Sequence, residues 1–202
     1  MRVKASGCLL KNMREGYGYV TCAHEPIRDY FFSLDRVPDD PETMLNDLLE
    51  EHMERGESYG TASIEAAMHA LIASRFVAHT HHVYANIFTC TQDGEAALGR
   101  IFEDEDTLYV PYANPGFFLS LALARQQKKN GRLPAIMFLE NHGLITQGDT
   151  VQKVFKLTHL VTDRIVRFLK QQSVFFPFRA EKGGLLVATG HMFPDSAVYL
   201  AA

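Results

Sequence analysis

Residues 78–82 read Ala-His-Thr-His-His, the densest run of imidazoles in a 202-residue chain with 9 histidines. In a strand, His79 and His81 would project from one face about 6 to 7 Å apart, within reach of one metal ion, while His82 would point the other way. Two imidazoles do not complete such a site. A catalytic zinc takes three protein ligands and keeps a further position open. The best third candidate is His142, in Glu140-Asn141-His142-Gly143 at the end of the apolar run AIMFL. Strand ends in α/β sheets are common ligand sites. Gly143 lets the chain turn sharply or lets another group approach its backbone. Neutral imidazoles without a thiolate suit zinc or another first-row divalent ion, whereas calcium and magnesium call for oxygens. The plain alternative is an ordinary pair of strand histidines. His24, His52, His69, His159 and His191 have no comparable setting and read as surface or core residues. His82 reads either as a support for a ligand or as a cover for the far side of the strand. Asn86, one turn further on, reads as structural or as orienting a ligand histidine.

The elements that must hold these residues alternate between strand and helix. Arg2–Ser6 and Gly18–Cys22 read as short strands. Asp40 is a possible N-cap with Pro41 at the first helical position. The helix that follows has Met44, Leu48 and Met53 on one face and Gly56 as its stop. Ser63 is placed to cap a helix over IEAAMHALIAS, with Ile64, Ala67, Met68, Leu71 and Ile72 inward. Phe76–His81 reads as a strand, Val83–Cys90 and Gly94–Phe102 as helices, and Thr107–Tyr112 as a strand closed by Asn114-Pro115-Gly116. Phe117–Asn130 reads as a helix ended by Gly131. Ala135–Leu139 reads as a strand buried on both faces that resumes at Leu144–Gln147 after a bend at Gly143. Asp149 or Thr150 caps a long helix through Gln171, with Val151, Val154, Phe155, Thr158, Val161, Ile165 and Phe168 inward. Ala197–Leu200 reads as an edge strand. The pattern predicts an α/β fold around a mixed sheet in one domain over 1–202.

Composition narrows the partners. The chain is 47% apolar and 22% charged, with a formal charge of −4 and no basic stripe. Nucleic acid and anionic membranes are therefore not expected partners. No apolar run reaches about 18 residues, so no transmembrane helix is expected, and the first residues lack a signal-peptide core. Cys8, Cys22 and Cys90 form no CxxC pair and read as reduced, buried cysteines of a cytoplasmic protein.

Four separated motifs, in order, carry a resemblance: Ser63-Ile64-Glu65, His79-Thr80-His81, Pro111-Tyr112-Ala113-Asn114-Pro115-Gly116 and Glu140-Asn141-His142-Gly143-Leu144. Together they resemble the class II aldolase/adducin family, from about Val3 to Gln171. Within it they are most similar to the rhamnulose-1-phosphate aldolase domain of bifunctional aldolase/dehydrogenase proteins and next to fuculose-phosphate aldolases. The resemblance implies a three-layer α/β/α sandwich with a central mixed or antiparallel sheet, assembled as a homotetramer with sites between subunits. It implies that His79, His81 and His142 hold a divalent ion, commonly Zn2+, and that Glu65 is the acid/base. Tyr112 matches a proton donor supplied from the adjacent subunit, and Ser6, Gly7 and Ser63 match phosphate-binding positions. Glu140 is left out of the site. Family members begin with a further helix and strand carrying part of the phosphate site. That segment is expected to be missing here, and Ile64 replaces a serine.

Taken alone, Glu65 is an ordinary first-turn acid favoured by the helix dipole. With the histidines, the resemblance implies a metal-dependent aldolase, and the residue chemistry is consistent with it. It would cleave a ketose phosphate to dihydroxyacetone phosphate and an aldehyde, through an enediolate whose charge the metal stabilises. The alternatives are a sugar-phosphate dehydratase or 4-epimerase on the same scaffold, or an inactive adducin-like structural module.

Overall fold

The computed structural model describes residues 1–54 and 59–172. In chain order the elements are β1 (Arg2–Lys4), β2 (Tyr19–Thr21), α1 (His24–Ser33), α2 (Pro41–Glu51), α3 (Ala66–Ala70), β3 (Phe76–Thr80), α4 (Val83–Thr89), α5 (Gly94–Ile101), β4 (Thr107–Val110), α6 (Phe117–Asn130), β5 (Ile136–Leu139), β6 (Gly143–Gly148) and α7 (Val151–Gln171), with a 3-10 turn at Leu10–Asn12. The described residues divide into two compact units: Met1–Ala73 with Ala113–Leu133, and Ser74–Tyr112 with the described chain from Pro134 to Gln172. No helix of the described residues is long and apolar enough to cross a membrane. The class is α/β, and the sheet is mixed and open rather than a closed barrel.

In the first unit β1 pairs antiparallel with β2, Val3 opposite Val20. Asp40 caps α2 as expected, its Oδ1 accepting from Thr43 N at 3.2 Å, with Pro41 opening the helix. The buried face of α2 is Leu45, Leu48 and Leu49 rather than Met44, Leu48 and Met53, and Met44 is exposed. Three leucines bury more branched apolar surface than the flexible methionines, and that sets the rotation of the helix. The helix ends at Glu51, and Gly56 lies outside the described residues. The helix predicted over IEAAMHALIAS shortens to α3. Ile64 stands exposed before it, while Ala67, Met68, Leu71 and Ile72 are buried. The sequence reading did not contain α1, which buries Ile27 and Phe31. Its N-cap position is Ala23, which offers no side-chain cap, so the usual start signal is absent. Pro26 falls in its first turn, where a missing N–H costs no hydrogen bond. Phe31 packs on Phe117 of α6 with ring centroids 5.3 Å apart, and Gly131 ends α6 in a left-handed conformation.

In the second unit the strands run β3-β6-β5-β4. β6 is antiparallel to both neighbours and β5 is parallel to β4. The run after Gly143 does not continue β5. It reverses, with Leu139 opposite Gly143, leaving Glu140, Asn141 and His142 as the turn. Asn141 takes the positive φ of 51° that this tight reversal needs, a conformation asparagine tolerates. Gly143 serves a close approach instead: a Cβ there would lie 2.4 Å from the Thr80 carbonyl oxygen across the β3–β6 pair. Thr150 caps α7, accepting from Lys153 N at 3.1 Å. The buried stripe of α7 is Val154, Leu157, Val161, Ile165 and Leu169, against Phe102, Ile136, Phe138 and Leu144. Val151 and Phe155, expected inward, are exposed. The helix is turned so that leucines at positions 157 and 169 complete the stripe. Ala197–Leu200 lies outside the described residues. Of the cysteines, which carry no disulfide, Cys22 is buried as expected and Cys8 and Cys90 are half-buried.

Candidate metal centre

β3 supplies His79 from within the strand, opposite Ile145 of β6. His81 follows one residue beyond the end of β3, and His142 is the last residue of the β5–β6 turn. The three rings converge. Centroids are 5.4 Å apart for His79 and His81, 4.8 Å for His79 and His142, and 5.0 Å for His81 and His142. Each offers a ring nitrogen, and these nitrogens lie within 4.8 Å of one another. The Nε2 atoms of His79 and His142 face each other at 3.1 Å. His79 Nδ1 lies 3.2 Å from the Leu144 carbonyl oxygen. A carbonyl only accepts, so Nδ1 carries the proton and donates it there, leaving the Nε2 lone pair toward His142.

This donor set fits a divalent ion. Two imidazoles bound at about 2.0–2.1 Å in tetrahedral geometry place their nitrogens roughly 3.3 Å apart, close to the His79–His142 separation. His142 is buried and the other two are half-buried. Imidazoles in mutual contact, without a thiolate, suit zinc-like ions.

The support around the rings comes from α4. His82 is its N-cap: Nδ1 accepts from Ala85 N at 3.2 Å, and Nε2 donates to Thr162 Oγ1 at 3.1 Å. Burial lowers the pKa of His82, which favours the neutral ring such a cap requires. One turn on, Asn86 Nδ2 donates to the His142 carbonyl oxygen at 3.3 Å, and Thr89 Oγ1 donates to Asn86 Oδ1 at 3.1 Å. The Thr89 carbonyl oxygen accepts from Asn141 N at 2.9 Å. Thr89 went unnoticed in the sequence. Its signal was a pair of small polar residues three apart on an otherwise apolar helix.

Glu140 holds the segment that carries Tyr112. Its N donates to the Val110 carbonyl oxygen at 3.0 Å and its Oε2 accepts from Tyr112 N at 2.8 Å. Tyr112 itself is 56% exposed. The neighbouring Tyr109 hydroxyl is pushed up to about 12, first by burial and then by the negative charge of Glu140.

The remaining predicted residues lie in the first unit. Ala5 bridges Ala62, and Ser6 N donates to the Thr61 carbonyl oxygen at 2.9 Å, so Ser6 and Ser63 flank one short antiparallel contact. Gly7 has φ of 70°, and a Cβ there would meet open space. Ser63 Oγ accepts from Glu65 N at 3.3 Å, and Glu65 stands at the N-cap position of α3. Ser6 lines a cavity of about 420 Å³ with Asn46, Glu50, Thr61 and Ile64.

Compared with known proteins, residues 34–165 match the family described as Class II Aldolase and Adducin N-terminal domain. The chain belongs to the class II aldolase/adducin family. This domain is similar to a Bacillus subtilis (strain 168) protein named uncharacterized oxidoreductase YuxG, with 27% identity over 172 residues. That match covers 85% of this chain but only 24% of the relative's length. Among solved structures, the N-terminal class II aldolase domain of a conserved Thermoplasma acidophilum protein superposes with a TM-score of 0.69 at 24% identity. It covers 83% of this chain and 74% of that one, a likeness of fold. An aldolase II superfamily protein from Pseudomonas syringae is 26% identical with a TM-score of 0.40, over 57% of this chain and 47% of that one.

Proposed function

We propose that this class II aldolase/adducin domain is a divalent-metal-dependent aldolase acting on a ketose phosphate of the rhamnulose or fuculose type. The observation that carries the reading is the convergence of His79, His81 and His142, from a strand, its end and a hairpin turn. These three imidazoles would hold the ion, with Zn2+ the best match to the donor set. When bound, such an ion supplies Lewis-acid stabilisation of negative charge on substrate oxygens.

The chain's own groups account for the proton transfers. In cleavage, the hydroxyl that becomes the aldehyde oxygen gives up its proton to the Tyr112 phenol oxygen as the phenol passes its own proton to solvent. The carbon–carbon bond breaks, its electron pair moves toward the ketose carbonyl, and Glu65 delivers a proton to the carbon left behind. Ser6, Gly7 and Ser63 would receive the phosphate. A homotetramer with Tyr112 reaching a neighbouring subunit's site, working in the cytoplasm, completes the proposal. The exposed position of Tyr112 supports a role outside its own subunit.

The experiment is product analysis with the full chain, zinc and a small panel of deoxyketose phosphates. Dihydroxyacetone phosphate and lactaldehyde are the expected products. A zinc-loaded chain that releases neither sinks the aldolase reading. Loss of water would redirect it to a dehydratase, and an inverted carbon to an epimerase. An inert panel together with an empty metal site would point to a structural module.

A further inference from the structure

Two of the converging histidines are joined by one short helix. α4 starts two residues after His81, capped by the His82 ring, and its next turn grips the hairpin turn that carries His142. Asn86 sits at the junction and is 6% exposed. Its amide is committed at both ends: Nδ2 donates to the His142 carbonyl oxygen, while Oδ1 accepts from the hydroxyl of fully buried Thr89. That pattern also fixes which way the amide faces, because a carbonyl requires a donor. Thr89 holds the same turn from its other side, through its carbonyl and Asn141 N. The turn is thus clamped on both sides of the residue with positive φ.

We infer that Asn86 is a positioning residue of the metal centre: it sets the His142 main chain against the segment of His79 and His81, and so fixes where the His142 ring meets the other two. The inference rests on the reading of these histidines as ion ligands. Asn86 touches neither ion nor substrate, and it acts through the backbone of a ligand. A bond to that backbone leaves the ligand's ring chemistry untouched and changes only its placement. Its loss should therefore appear in the coordination geometry itself. Outer partners of this kind typically carry a 10- to 100-fold effect on metal affinity.

The test uses the full chain and Co(II) alone, whose visible d–d bands report ligand geometry. Three proteins are titrated: wild type, Asn86→Ala and Leu123→Ala, the last a truncation of a fully buried leucine on α6 of the first unit. Asn86→Ala is expected to bind Co(II) roughly 10- to 100-fold more weakly, with bands displaced in position or intensity. Leu123→Ala should lose thermal stability yet keep the wild-type spectrum and affinity. An Asn86→Ala spectrum and affinity matching wild type within about twofold would overturn the positioning role while leaving the centre intact. Wild type that binds no cobalt would remove the centre and the inference together. Should Asn86→Ala not fold, the decision passes to Thr89→Val, which keeps the shape and removes the hydroxyl that orients the amide. It should show the same band change with a smaller loss, and an unchanged titration there counts equally against the role.

Discussion

His79 Nε2 and His142 Nε2 face each other at 3.1 Å across 63 residues of chain. Two imidazole nitrogens at that distance can share a cation between them. The purified full chain should carry about one divalent ion, and His142→Ala less than about a tenth of that. Because binding to the folded state stabilises it, zinc at about 100 times its Kd should raise the unfolding free energy of wild type by about 2.7 kcal/mol. Denaturant titrations with and without zinc measure the shift. Equal shifts in wild type and His142→Ala would place the ion elsewhere.

Gly143→Ala tests the seam between β3 and β6. The new Cβ would stand 2.4 Å from the Thr80 carbonyl oxygen, a contact with backbone that cannot rotate away. The strands must part, at a cost of roughly 1–3 kcal/mol by analogy with overpacked cores. Since β3 carries His79, metal affinity should fall with stability. A variant with the wild-type denaturation midpoint would show that the seam yields freely.

The acid/base assignment separates chemistry from metal retention. Glu65→Gln should keep its ion and lose kcat by roughly 10²–10⁴-fold on the deoxyketose phosphate that wild type cleaves. Tyr112→Phe should lose kcat in the same direction. If Glu65→Gln loses its ion instead, Glu65 is a ligand rather than a proton carrier.

Tyr109 gives a pH dependence of defined sign. Its folded-state pKa is pushed up to about 12, from an ordinary value of 10, by burial and then by Glu140. The folded protein thus favours the neutral phenol. This contribution is fully present below pH 10 and is lost as pH rises from 10 through about 12. Stability of wild type relative to Tyr109→Phe should therefore decline across that window, read from denaturation midpoints at closely spaced pH values. A pH-independent difference would mean that the phenol ionises equally easily in both states.

Local signals were legible where one residue type has one job. Asp40 with Pro41, Thr150, Gly131 and the HxH run all stand where their chemistry predicts. The failures involve tertiary choices. The rotation of α2 and α7 was decided by which leucines met the core, which spacing alone leaves open by one position. The type of residue 143 leaves open whether it bends the chain or admits a close approach; Asn141 supplies the unusual backbone of the reversal and Gly143 the clearance. α1 has no side-chain cap at Ala23 and carries a proline in its first turn, so the usual start signal for a helix is absent. In the candidate site, the histidines were visible through their type. Asn86 and Thr89 work through backbone groups, which no residue code displays.

The three-residue turn between β5 and β6 closes locally, whereas β3 must arrive from more than 60 positions earlier to complete the sheet. Short loops close at lower entropic cost than long ones, so the hairpin is expected to form before β3 docks. A nascent or misfolded chain therefore presents scattered imidazoles rather than a cradle. Were the proposed ion bound there, its uptake would act as a final latch that counts only finished molecules.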